Sequence, residues 1–329
     1  VPMLEATGLT RNFLMKRPFH RPVTVSAVSG VDLAIGRSET LAIVGESGCG
    51  KSTLGRLLLG LLPATSGSVR FEGVDLAALA ASVWRRQRAR MQIVFQNPLE
   101  ALDPRLPVGR QIAEPLAIHG AAPGSVRKTV AERLMHEVGL AASLYERRPL
   151  ELSGGQRQRV VIARALATQP AFVVFDEPVS ALDVSVQAQI IALIRRLQEA
   201  TRFASVFISH DLRVVRHVAD RIAVMYLGRI VEEGPVKEVL RSPAHPYTRA
   251  LIDAVPQIRQ RSGSARQRLR GEAVSAEQAQ NGCAFHSRCP LATIEACTAS
   301  VPTLKALGNG RSAACHLASG TRPPLQPLV

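Results

Sequence analysis

"GESGCGKST" runs from Gly45 to Thr53 and satisfies the pattern G-x-x-x-x-G-K-[ST] in full. Its glycines let the backbone curl so that successive N–H groups point at phosphate oxygens. Lys51 adds positive charge at the β- and γ-phosphates, and the Ser52 hydroxyl can reach Mg²⁺. The apolar run "TLAIV" ends where the loop begins, and "KSTLGRLLLGLL" after it has helical character. Strand, glycine-rich turn and helix, in that order, aim a helix N-terminus at the anion. The reading is a phosphate-binding loop, with Gly45, Glu46, Ser47, Gly48, Cys49, Gly50, Lys51, Ser52 and Thr53 as its candidate contacts. Cys49 is a small residue tolerated in the loop, and its place near a helix start is expected to lower its pKa.

Hydrolysis of a bound nucleotide needs a carboxylate for Mg²⁺ and a base or water-positioner. "FVVFDE" supplies both at the end of one buried strand: Asp176 for the metal shell and Glu177 for the attacking water. The plain alternative is a strand that ends in two acids before a proline turn. His210 closes the next apolar run, "VFISHD", where it can hydrogen-bond the γ-phosphate. A second anion-directed helix start lies in "LSGGQRQRVVIARALA": Ser153 can cap the helix while Gly154 and Gly155 permit close backbone approach. Two such starts about a hundred residues apart raise the question whether they bind one nucleotide, or two nucleotides across a dimer.

Outward from these motifs, residues 1 to about 40 alternate apolar and polar ("TVSAVSGVDLAI"), the pattern of half-exposed antiparallel strands. Residues 97–160 change to helices broken by Pro and Gly, and a polar, weakly periodic segment follows Pro256. The tail "TRPPLQPLV" reads as disordered. With 329 residues, 46% hydrophobic and 4% aromatic, the core must be built from aliphatics, which suits an α/β protein with buried parallel strands. No apolar run approaches the length of a spanning helix and no signal-peptide layout opens the chain. It therefore reads as soluble and cytoplasmic, with thiols reduced and no disulfide framework. The net charge of +15 fits an acidic ligand, an anionic membrane or nucleic acid, but scattered arginines and few aromatics weigh against nucleic acid.

"GESGCGKST", Gln96 of "IVFQNP", "LSGGQ", "FVVFDEP", "SALD" and "ISHD" occur in the order that resembles the ATP-binding cassette (ABC) ATPases, over roughly residues 4–250. The resemblance implies a P-loop α/β fold: a RecA-like core, an N-terminal antiparallel β subdomain and a helical subdomain. It also implies a head-to-tail dimer with ATP between one subunit's phosphate loop and the other's Ser153–Gln156. Gln96 would touch Mg²⁺ or water and couple to a membrane partner, and Asp183 would cross the dimer interface. Adenine would stack on an aromatic upstream of the loop, Phe13 being the candidate and Phe19 and His20 the alternatives.

"SPAHPYTRALIDAVP", "LRGE" and "GCAFHSRC" resemble the C-terminal extension of oligopeptide and dipeptide importer ATPases, and "VFQNPLEALDPR" resembles their second, F-type subunit. The expected organisation is a cassette over 1–255 and an extension over 256–329. The expected partners are a second ATPase subunit, two multi-span permeases and, indirectly, a solute-binding protein, at the cytoplasmic face of the cell membrane, with no nucleic acid. Related importers carry nickel, glutathione or sugars. A soluble cassette protein acting on ribosomes or DNA is the other reading, but such proteins generally carry paired cassettes or a large coiled-coil insertion, and the single cassette and short 97–160 segment read here fit neither. The run between "GE" and the first cysteine, "AVSAEQAQNG", lacks the prolines usual in that family.

Four of the five cysteines fall in this extension: Cys283, Cys289, Cys297 and Cys315, separated by five, seven and seventeen residues. These gaps match neither paired zinc-ribbon motifs nor ferredoxin runs, so spacing alone predicts a four-thiolate site with the metal open between zinc and iron–sulfur. His286 and His316 are nearby substitutes. The family resemblance implies a [4Fe–4S] cluster, with Zn²⁺ the alternative and a structural role the expectation.

Overall fold

The apolar run ahead of the phosphate loop, Thr40–Val44, is a strand buried at all five positions. The computed structural model describes residues 1–15, 22–255, 282–292 and 295–318. Its strands are β1 (Leu4–Met15), β2 (Val23–Ile35), β3 (Thr40–Val44), β4 (Ser66–Phe71), β5 (Val74–Asp75), β6 (Met91–Val94), β7 (Phe172–Asp176), β8 (Ala204–Ser209), β9 (Arg221–Tyr226), β10 (Arg229–Pro235), β11 (Lys305–Gly308) and β12 (Arg311–Ala313). Eight of them form one sheet in the order β11-β12-β10-β9-β3-β8-β7-β6. From β6 to β9 the neighbours run parallel, while β10 and the β11–β12 hairpin continue the sheet antiparallel.

Strands buried on both faces read as continuous apolar runs, because alternate residues feed two different cores. On one side Val173, Phe175 and Phe207 pack with residues of the helices Val108–Ile118, Arg127–Glu137, Gly154–Leu166 and Val184–Thr201. On the other, Phe172, Val174, Val206 and Ile208 pack against the helix Lys51–Leu58 and the N-terminal sheet. That second sheet, order β2-β1-β4-β5, is antiparallel. In β2 the buried Val31, Leu33 and Ile35 alternate with exposed Asp32 and Ala34, the half-buried pattern expected from sequence. Helices and short 3-10 turns follow one another from Pro98 to Leu166.

Several elements carry no strong sequence signal. The helix Ala81–Arg90 buries no residue, so it has no apolar stripe to read. Strand β4 buries only Val69 and Phe71. Among the described residues no helix is long and apolar enough to cross a membrane. Phe19, His20, the segment 256–281 and the tail "TRPPLQPLV" lie outside the described residues.

The third core, at the β9–β10 edge, carries the C-terminal extension. Strand β12 pairs with β10, Glu232 opposite Ala313, and the Ala314 N–H donates to the Val231 carbonyl at 2.8 Å. Beneath this edge the buried Glu232 carboxylate accepts from the N–H groups of Ala244 (2.8 Å) and His245 (2.9 Å). His245 Nδ1 accepts in turn from the Tyr247 N–H at 3.0 Å, capping the helix Pro246–Asp253.

Burial pushes the His245 imidazole down to about 3, against about 6.5 in an unfolded chain. Between these values the unfolded state binds the extra proton, so stability falls as pH drops below about 6.5. At about pH 5 the expected loss is about 2 kcal/mol. His245→Asn, which retains an acceptor, should remove that part of the acid slope in denaturant unfolding measured between neutral and acid pH. An unchanged slope would show that another group carries it.

Candidate nucleotide site

The loop after β3 closes around its own lysine. Lys51 is 4% exposed, and its Nζ donates to the carbonyls of Gly45 and Glu46, each at 2.9 Å. Gly50 sits at φ 105°, and a Cβ there would meet the Ala27 carbonyl at 2.0 Å, so the loop needs glycine at this point. Ser47 and Gly48 form the exposed rim, and Thr53 follows in the first helical turn. Cys49 corrects the sequence expectation. Burial raises its thiol pKa despite the Lys51 charge, so the helix start does not activate it.

Ser52 Oγ donates to Asp176 Oδ1 at 2.7 Å, which joins the loop to the end of β7. Burial raises the Asp176 carboxyl pKa, and the Ser52 hydrogen bond and nearby Arg56 pull it back. A hydroxyl and a carboxylate at this distance, beside a loop of N–H donors, fit the oxygen preference of Mg²⁺. The next residue, Glu177, has a left-handed φ of 46°, a conformation that costs a non-glycine residue about 1–3 kcal/mol and clusters at functional sites. Its N–H still donates to the Ile208 carbonyl of β8 at 3.1 Å.

Three predicted residues meet at the Glu177 carboxylate. Glu177 Oε2 accepts from Gln96 Nε2 at 3.3 Å and lies 3.2 Å from His210 Nδ1. The same Gln96 nitrogen also reaches Ser180 Oγ at 3.4 Å. Ser180 belongs to the "SALD" run, yet sequence reading assigned it no role. Gln96 thus sits beside the candidate base, between Glu177 and Ser180.

The second helix start is built as expected. Ser153 Oγ accepts from the Gln156 N–H at 3.3 Å, and Gln156 Oε1 accepts from the Ser153 N–H at 2.9 Å, a reciprocal cap. A Cβ on Gly155 would meet Val186 Cγ1 at 2.7 Å, so glycine lets this turn lie against the helix that follows Asp183. Ser153, Gly154 and Asp183 are solvent-exposed. Among the described residues no hydrogen bond ties the Ser153 turn to the phosphate loop of its own chain. Phe13 is half-buried near the end of β1, opposite Val25, and the Arg11 guanidinium lies over its ring at 4.7 Å.

Two contacts to the loop were not foreseen. The Glu46 N–H donates to Tyr247 Oη at 2.8 Å, and Arg288 donates to both Glu46 carboxylate oxygens, at 2.8 and 3.0 Å. The "HPY" and "RC" letters around them were visible, but their link to residue 46 is purely tertiary.

None of the five cysteines forms a disulfide. Burial, with smaller contributions from the charges of Cys315, Cys297 and Cys289, pushes the Cys283 thiol up to about 11. Burial likewise raises the Cys289 thiol, with added contributions from Cys315 and Cys297. Among the described residues no three His, Cys, Asp or Glu side chains are gathered as a ready ligand set for one ion.

Comparison with known proteins agrees with this geometry. The family described as ABC transporter matches residues 28–180, and the oligopeptide/dipeptide transporter C-terminal region matches residues 231–297. The "Di/tripeptide transport ATP-binding protein DppF" of Pseudomonas aeruginosa is 46% identical over 95% of this chain and 97% of its own. The "Probable peptide ABC transporter ATP-binding protein y4tS" of Sinorhizobium fredii is 47% identical over 96% and 90%. Among solved structures, the dimeric ATP-binding cassette MJ0796 in a post-hydrolysis state with ADP and Pi aligns with a TM-score of 0.63 at 29% identity. That match covers 71% of this chain and 99% of the other. With the phosphate loop, the acidic strand end and the HPY-bearing C-terminal region all matched, the chain belongs to the ATP-binding proteins of peptide ABC transporters, and its enzyme activity is ATP hydrolysis coupled to transport.

Proposed function

We propose that this chain powers import of di- or oligopeptides through a pair of membrane permeases, at the cytoplasmic face of the cell membrane. The observation that carries the catalytic part is the meeting of Gln96 and His210 on the Glu177 carboxylate, one residue beyond the Ser52–Asp176 pair. Gly45 to Thr53 hold the triphosphate, with Lys51 at the β- and γ-phosphates. Mg²⁺, when bound, neutralises phosphate charge, and Ser52, Asp176 and the Gln96 amide oxygen are the groups to hold it. Glu177 accepts the proton of the attacking water. His210 orients that carboxylate through Nδ1 and offers its other ring nitrogen to the γ-phosphate. Phe13 stacks on adenine.

The exposed Ser153–Gln156 turn serves a nucleotide on a second cassette, and Asp183 reaches across the same interface. Exposure supports this reading: Asp183 is exposed, and Val184 beside it is 79% exposed. The second cassette is a different chain, as the F-type resemblance implies, and a homodimer is the alternative. Gln96 opens the segment leading to the helices, where Leu99 and Leu106 are 39% and 41% exposed, a surface suited to a permease. The peptide substrate rests on the relatives' names and the matched C-terminal region. The solute-binding protein takes part only through the permeases.

For the cysteines we propose a [4Fe–4S] cluster on Cys283, Cys289, Cys297 and Cys315, with Zn²⁺ the alternative. Four soft sulfur donors crowded into residues 283–315 support it.

Glu177→Gln should retain Mg-ATP binding while kcat falls by about a hundred- to ten-thousandfold. Lys51→Ala should weaken binding itself. Wild-type turnover in Glu177→Gln would remove Glu177 as the base. Cells lacking the chain should lose uptake of labelled peptides, and the tagged protein should co-purify with permeases. Recovery on ribosomes instead would overturn the importer reading. Anaerobic preparations should contain iron and acid-labile sulfide; zinc with neither would overturn the cluster.

A further inference from the structure

Arg288 lies on the short turn His286–Arg288, between Cys283 and Cys289, and is 7% exposed. A guanidinium buried this far needs a charged or polar partner close by. It finds one 242 positions away in the phosphate loop: both carboxylate oxygens of Glu46, at 2.8 and 3.0 Å. The same Nη1 reaches Tyr226 Oη at 3.4 Å, and the guanidinium lies 5.9 Å from the Tyr226 ring centre.

The turn is held in place independently of this pair. Phe285, 1% exposed, is wedged among Tyr226, Tyr247 and His245, at ring separations of 5.3, 5.4 and 5.8 Å. The Arg288 N–H donates to the Phe285 carbonyl at 3.1 Å, and the Cys283 N–H donates to the Cys297 carbonyl at 2.8 Å. Arg288 is therefore presented to the loop by a packed support. Glu46 is fixed from its other sides as well, its N–H on Tyr247 and its carbonyl on Lys51 Nζ.

Glu46 is the second residue of a loop that cradles a polyanion. A bare carboxylate there would repel the phosphates, in a site where low dielectric strengthens the repulsion. A bidentate guanidinium both cancels that charge and fixes its direction. We propose that Arg288 is a positioning residue of the nucleotide site: it neutralises and holds the Glu46 carboxylate so that the phosphate loop accepts ATP. Docking of the cysteine-bearing segment thereby becomes a condition for tight nucleotide binding. The inference rests on the reading of Gly45–Thr53 as the ATP-binding loop.

The test uses the full chain and its affinity for Mg-AMP-PNP. Arg288→Gln should raise Kd about tenfold, and Arg288→Lys, which keeps the charge but loses the fork, about threefold. In a Glu46→Gln background the same changes at Arg288 should have no effect beyond twofold, because no carboxylate remains to be neutralised. A merely structural role for Arg288 would give the same penalty in both backgrounds. The proposal is overturned by that result, or by wild-type affinity in Arg288→Gln. Should Arg288→Gln fail to fold, as thermal unfolding would show, the Arg288→Lys pair of measurements decides alone. Lys51→Ala is measured in parallel. If it loses binding while Arg288→Gln does not, this proposal alone falls; if it binds normally, the reading of the loop falls.

Discussion

A curl of backbone N–H groups aimed at anions must be kept open by something that does not itself occupy the anion's place. Here the burial of Lys51 does this. Its ammonium is tied to two carbonyls of its own loop, which fixes the curl from inside while leaving positive charge next to the N–H donors. The parallel strands then set what surrounds it. Strand β3 brings the loop to the C-terminal ends of the parallel strands, β7 brings Asp176 and Glu177 to the same level, and β8 brings His210. Register, rather than local motif, lets residues far apart in sequence share one carboxylate.

The motifs were legible because each is a local device. A phosphate loop needs contiguous glycines and a lysine, a capped helix start needs Ser153 and Gln156 three apart, and a buried strand ending in acids is visible as letters. The fully buried strands were also legible, since Thr40–Val44, Phe172–Asp176 and Ala204–Ser209 are predominantly apolar and buried at every position. Harder to see were elements whose stability comes from elsewhere. Strand β4 and the exposed helix Ala81–Arg90 carry almost no pattern of their own and exist because neighbours hold them.

The same distinction explains the site. That Glu177, Gln96 and His210 belong together could be expected from the order of motifs, but their convergence on one oxygen required the sheet. Ser180, Tyr247 and Arg288 were missed because their partners are set by three-dimensional packing. Nothing in "HSRC" announces that its arginine neutralises a residue at position 46. Cys49 shows the converse: position suggested activation by the helix start, whereas burial in the second core raises its thiol instead.

The β11–β12 hairpin has a further effect on the life of the molecule in solution. By pairing with β10 it covers a strand edge whose neighbours Val231 and Ile230 are buried and apolar. An uncovered edge of that kind is a template for pairing with another chain. The new outermost strand, β11, is only four residues long, begins with an exposed lysine and ends in a glycine. Such an edge resists self-association. The hairpin thus replaces an apolar edge of the sheet by a short, exposed one.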